Sequence, residues 1–98
     1  MDNRTIALKL TEYAHMLESH RANLYRIRAY RTAAQAILGL DQPLEELVRE
    51  KGRRGLTRLP GVGAHLAYTL EELVRTGEFR TLTDERGRPI LRDRARAS

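Results

Sequence analysis

Apolar residues recur along this chain at spacings of three and four and do not alternate over any useful length, so the pattern predicts helices and no sheet. From Asn3 to about His20 the residues Ile6, Leu10, Tyr13, Ala14 and Leu17 form one amphipathic stripe, with Asp2 or Asn3 available as a cap. A second helix is predicted from Leu24 to Leu38, its stripe being Ile27, Tyr30, Ala33 or Ala34, Ile37 and Leu38, with Gly39 as its stop and Arg26, Arg28 and Arg31 on the other face. Asp41, as a capping residue, begins a third, short helix with Pro43 in its first turn and Glu45 and Glu46 near the positive helix end, and Gly52 is expected to close it. Arg53 and Arg54 then read as a loop, and Leu56, Thr57 and Arg58 as one helical turn. A fourth helix starts near Ala64, buries Leu66, Ala67, Leu70, Leu73 and Val74, and ends at Gly77. Beyond Leu82 the periodicity stops. Residues 84–89 look turn-like and 92–98 mix Arg with Ala, so residues 1–82 are expected to form one small all-α, four-helix domain and 83–98 a basic, flexible tail.

A chain of 98 residues has room for one compact core and none for an elaborate buried cleft. With no cysteine, disulfides, thiolate metal sites and thiol nucleophiles are excluded. No apolar run approaches the roughly 20 residues needed to span a bilayer, and Met1-Asp2-Asn3-Arg4 does not open a secretory signal, so no membrane association and a cytoplasmic, nucleoid-associated location are expected. A net charge of +5 favours a polyanionic partner, although charge alone is a weak argument. The only lysines are Lys9 and Lys51; every other cation is Arg. His15 and His20 are five apart and do not converge on a metal.

The densest local signal is Leu59-Pro60-Gly61-Val62-Gly63-Ala64-His65. Pro60 stops the preceding turn from continuing, and the glycines allow a tight reversal. If the reversal opens directly onto the fourth helix, its free amides and the positive helix end converge where a phosphate oxygen fits. A lone Gly-x-Gly is nevertheless unspecific, and an ordinary connector between helices explains it equally well.

Three runs together change that balance: Asn23-Leu24-Tyr25-Arg26-Ile27-Arg28-Ala29-Tyr30-Arg31-Thr32-Ala33-Ala34, then Leu59-Pro60-Gly61-Val62-Gly63, then Leu73-Val74-Arg75-Thr76-Gly77. In order and spacing they resemble the N-terminal, 8 kDa-type domain of family X DNA polymerases, the DNA polymerase beta type in its bacterial form, over roughly Asn3 to Leu82. The resemblance implies four packed helices with one helix-hairpin-helix motif that grips DNA near gaps or 5′-phosphate ends. Carried over by position, the phosphate pocket falls on Arg26, Tyr30 and His65, with Gly61, Gly63 and Ala64 of the hairpin offering their backbone and Arg58 beside it. His65 stands where the family has Lys, so that contact is expected to be weaker or pH-dependent near neutrality. Tyr30 also lies on the apolar stripe, and a ring in the core with its hydroxyl at the rim satisfies both roles. For Arg26, Arg28 and Arg31 the plain alternative is a solvated helix face. No cofactor is required, but the family's hairpin binds a monovalent cation, K+ or Na+, through main-chain carbonyls that here belong to Thr57, Leu59 and Val62.

Members of that family can excise a 5′-deoxyribose phosphate through a Schiff base, which needs a neutral amine. The matching position here is Thr69, its acidic neighbour is Tyr68, and Arg cannot substitute because it stays protonated. Lys51, placed in the loop before the hairpin, and Lys9 do not match. The adjacent pairs Glu45-Glu46 and Glu71-Glu72 point in different directions on their helices and suggest no acid–base chemistry. A nucleotidyl-transfer domain is absent from the chain. The expected protein is therefore a non-enzymatic, sequence-independent DNA-backbone binder serving repair or recombination, with a partner protein of a repair complex also conceivable. The competing reading is a protein-interaction adaptor that kept the scaffold without DNA affinity; a segment of a longer polymerase fits the Arg-rich ending less well. A side chain at Gly61 or Gly63 is expected to weaken DNA binding more than it unfolds the protein.

Overall fold

The computed structural model describes residues 1–77 and the backbone of two short strands, 82–83 and 89–91. Four helices follow one another: α1 (Asn3–Ser19), α2 (Leu24–Leu38), α3 (Leu44–Thr57) and α4 (Ala64–Thr76). The bounds of α1, α2 and α4 follow the periodicity closely. Asp2 caps α1 by accepting the Thr5 amide at 2.8 Å, and Thr5, through its side chain first and its amide second, holds the Asp2 carboxyl below the usual carboxylate range. Asn23 caps α2 through the Tyr25 amide at 2.7 Å.

Asn3 does something else. Its Oδ1 accepts the Leu44 amide at 2.8 Å and its Nδ2 donates to the Gln42 carbonyl at 2.9 Å, so the start of α1 pins the start of α3. The expected cap at Asp41 is not used: the helix begins at Leu44, with Pro43 at its N-cap and no side-chain cap of its own. Pro43 favours the extended backbone seen there (φ −61°, ψ 141°) and cannot itself donate.

Gly52 does not end α3. At φ 63° and ψ −154°, a conformation essentially confined to glycine, it breaks the helix, which resumes at once through Thr57. Arg53 and Arg54, expected in a loop, therefore lie on a helical turn, and Lys51 is the last residue before the break. This second half of α3 and α4 are the two helices flanking the hairpin.

The described core draws on all four helices: Ile6, Leu10, Tyr13 and Leu17; Ile27, Tyr30, Ala33, Ala34 and Ile37; Leu44, Leu47 and Leu56; Leu66, Ala67, Leu70 and Leu73. Val62 joins it from the hairpin. Leu38 does not: it is half exposed, about 100° round the helix from Ile37, which carries the buried stripe to its end. No polar or charged residue is buried among the described residues, so hydrophobic contact carries the packing.

One element was not expected. Leu82–Thr83 (β1) pairs antiparallel with Pro89–Leu91 (β2), Leu82 opposite Leu91, with an irregularity in the register. Runs of two and three residues are too short to show an alternation, and Pro89 stands at the first strand position, where its missing N–H costs no ladder bond. The expected boundary between 82 and 83 falls inside β1. The rest of the expected tail lies outside the described residues.

Candidate nucleic-acid interface

The hairpin is a four-residue turn, Leu59-Pro60-Gly61-Val62, closed by the Val62 amide donating to the Leu59 carbonyl at 3.1 Å. Gly61 at φ 83° and Pro60 before it are the residues a type II turn demands. Two contacts fix the turn in place. Val62 is inserted into the core with 6% of its surface exposed. On the other side Gly61 lies against α2: a Cβ on it would meet the Thr32 Cβ at 2.8 Å, the Ala29 carbonyl oxygen at 2.9 Å and the Ala33 nitrogen at 3.1 Å. The glycine that was expected to make room for a phosphate makes room for a helix.

Gly63 behaves differently. It is the N-cap of α4 in extended backbone (φ −93°, ψ −172°) that any residue adopts, and nothing lies within 4 Å of the Cβ it lacks. Nothing among the described residues requires glycine here. No side chain caps α4, and among the described residues the amides of Gly63, Ala64 and His65 donate to no carbonyl. All three residues are exposed. The result is an open row of donors at the positive end of a 13-residue helix.

Beside this row the structure places the other expected residues. Arg58 is exposed at the C-cap of α3, one residue before the turn. The His65 ring is exposed on the first turn of α4 and has no partner among the described residues. Arg26 is half buried on α2, three residues before the Ala29 that faces Gly61. Tyr30 is 2% exposed, and its hydroxyl is hydrogen-bonded by the Arg26 side chain. Burial raises the Tyr30 pKa above its ordinary value, and the nearby Arg26 charge only partly offsets this. Tyr30 is thus a core residue whose hydroxyl steadies Arg26. The structure joins these two and leaves the ring no exposed face.

Other arginines are tied into the fold. Arg31 pairs with Glu18 at 3.0 Å across α1 and α2. Arg53 bonds Glu71 at 2.8 Å and 2.9 Å, joining the second half of α3 to α4, and its guanidinium carbon lies 5.4 Å from the centre of the Tyr68 ring. Arg75 pairs with Glu72 at 2.9 Å, and Arg49 approaches Glu46 at 3.7 Å. These exposed pairs are each worth little in stability. Thr69 donates its hydroxyl to the His65 carbonyl at 3.1 Å.

Two exposed aromatic residues were given no binding role in the sequence. Tyr25 is 82% exposed at the start of α2, and Tyr68 is 49% exposed on α4. Both fall between the positions of an apolar stripe, and that off-stripe placement was the available signal.

The family model for the helix-hairpin-helix domain matches residues 1–79, the four helices and the hairpin together. The chain belongs to this family. A search of curated proteins returned no match. Helix-hairpin-helix domains commonly bind nucleic acid, and in this one the uncapped start of α4 is exposed, with the exposed residues Arg58 and His65 on either side of the hairpin. Among the described residues no group of His, Asp or Glu is placed to hold a metal ion, and no helix is long and apolar enough to cross a membrane.

Proposed function

We propose that this helix-hairpin-helix domain binds DNA through its phosphate backbone, with little regard for base sequence, and favours gaps or 5′-phosphorylated ends as a module of DNA repair or recombination. The observation that carries the reading is Gly63. The fold leaves it in ordinary backbone with empty space beside it, so its missing side chain serves access to the α4 amides. A phosphate oxygen bound there would meet the helix dipole, and Arg26 and Arg58 would add forked donors. Such contacts fix position and carry no base information. The likeness to the N-terminal domain of family X polymerases supports the preference for gaps and ends.

The hairpin also suits a monovalent cation. Thr57 ends α3, where carbonyls lack intrahelical partners, and the Leu59 carbonyl has a second lone pair beyond its bond to Val62. With the Val62 carbonyl these neutral oxygens would hold K+ or Na+, which supplies positive charge beside a bound phosphate. The Schiff-base chemistry of the resembling family has no counterpart here: Thr69 offers a hydroxyl already bonded to the helix backbone, and we read the protein as a non-enzyme.

The test is a fluorescence-anisotropy comparison of gapped, nicked, intact and single-stranded DNA, with and without a 5′-phosphate, across a range of salt. Binding is expected to be alike for scrambled duplexes, strongest for gapped 5′-phosphorylated DNA, and steeply weakened by salt. No binding to any DNA at low salt would give the lead to the adaptor reading. That reading has one feature of its own, a groove of about 520 Å³ on α1 lined by Leu8, Tyr13, His15 and Met16 with Arg31 of α2.

A further inference from the structure

Tyr68 is a large aromatic residue that stands outside the buried core, with Arg53 against its ring. It lies four residues after Ala64 and three after His65, on the same face of α4 as those two residues and about 6 Å along the helix from Ala64. Helical aromatic side chains lean toward the N-terminus, which here is the hairpin end. Half of its surface is open to solvent. Arg53 lies over the ring, its guanidinium carbon 5.4 Å from the ring centre, and Arg53 is itself held by two short contacts to Glu71, so the cation cannot leave without breaking an ion pair.

The apolar stripe of α4 runs through Leu66, Ala67, Leu70 and Leu73, all buried, and Tyr68 stands off it. Burial therefore does not account for the aromatic ring. A flat ring braced by a fixed guanidinium, one turn from a row of phosphate-seeking amides, has the parts of a stacking platform for an unpaired base: a π-face and cationic surroundings that follow the backbone. A paired base is stacked on both sides and offers no face.

We infer that Tyr68, braced by Arg53, stacks on an unpaired DNA base whose neighbouring phosphate is held at the start of α4. The inference rests on the DNA-binding reading above and deepens it by assigning the preference for gapped DNA to one side chain. Arg53 acts as a positioning residue, setting the ring through the cation–π contact.

The experiment uses the full chain and a duplex with a one-nucleotide gap carrying 2-aminopurine as the unpaired base beside a 5′-phosphate, with an intact duplex of equal length as reference. Binding of the parent protein should change the 2-aminopurine fluorescence by stacking. Tyr68→Ala should abolish that change and weaken binding to the gapped DNA by about tenfold while leaving the intact duplex within about twofold. Tyr68→Phe should keep both properties, and Tyr68→Ala should keep the parent circular dichroism because the ring is outside the core. If Tyr68→Ala binds gapped and intact DNA as the parent does, or loses affinity for both alike, the stacking role is wrong while backbone binding stands. If the parent binds neither DNA, the DNA-binding reading falls, and this inference with it.

Discussion

A methyl group on Gly61 would lie 2.9 Å from the carbonyl oxygen of Ala29, so the hairpin touches the backbone of α2 with nothing between them. Gly61 is also at φ 83°, where a side chain is strained whatever space it has. Gly61→Ala should therefore destabilise the fold by about 2 to 5 kcal/mol, from left-handed strain together with overpacking against a helix that cannot yield. Urea denaturation measures this. A loss below about 1 kcal/mol would show that the hairpin is free to move off α2.

Gly63→Val should have the opposite profile. Its backbone is open to any residue and its missing Cβ faces empty space, so the fold should lose no more than about 1 kcal/mol, the usual size of an N-cap effect. DNA affinity should fall by about tenfold or more, since a branched side chain would stand over the α4 amides. Melting curves and anisotropy titrations on the same preparation separate the two effects. Unchanged affinity in a folded Gly63→Val protein would reduce the hairpin to a connector.

Asn3 offers a stability test far from the hairpin. Its side chain satisfies the Leu44 amide and the Gln42 carbonyl at once, and Leu44 is fully buried. Asn3→Ala should cost about 1 to 3 kcal/mol, because a buried amide loses its acceptor. Asn3→Asp keeps the acceptor and should lose less. Both follow from the denaturation midpoint, with DNA binding per folded molecule unchanged.

How far the sequence could be read depended on the range of each interaction. Helices α1, α2 and α4 were legible because their apolar stripes are periodic and their ends carry local signals such as Asp2, Gly39 and Gly77. The cap of α3 was not, because it comes from Asn3, 41 residues earlier. Gly52 looked like a stop, since nothing local distinguishes a glycine that ends a helix from one that bends it. At the candidate site the Pro-Gly turn was legible and the different duties of its two glycines were not: Gly61 answers to Ala29 and Thr32, which only the fold brings near. Tyr30 belonged to both the stripe and the resemblance, and burial placed it in the core with Arg26 on its hydroxyl.

The Arg26 and Tyr30 pair yields the last prediction, in which one residue reports on binding and the other on stability. Burial holds the Tyr30 pKa above its ordinary value, so the folded protein keeps the phenol proton at a pH where the unfolded chain has begun to lose it. Below the unfolded pKa of about 10 the contribution is fully present; as pH rises through that value toward the raised folded pKa it is lost, because the unfolded state then binds fewer protons than the native one. Tyr30→Phe should flatten the decline in stability above about pH 10 and should leave DNA affinity near the parent value, since the ring has no exposed face. Arg26→Ala should do the reverse, lowering affinity and reducing the salt slope by about one phosphate contact, at a modest cost to the fold through the abandoned Tyr30 hydroxyl. Denaturation at several pH values and salt-dependent anisotropy check both halves. A loss of affinity in Tyr30→Phe equal to that in Arg26→Ala would mean that the tyrosine hydroxyl, by way of the arginine it orients, is part of the phosphate site after all.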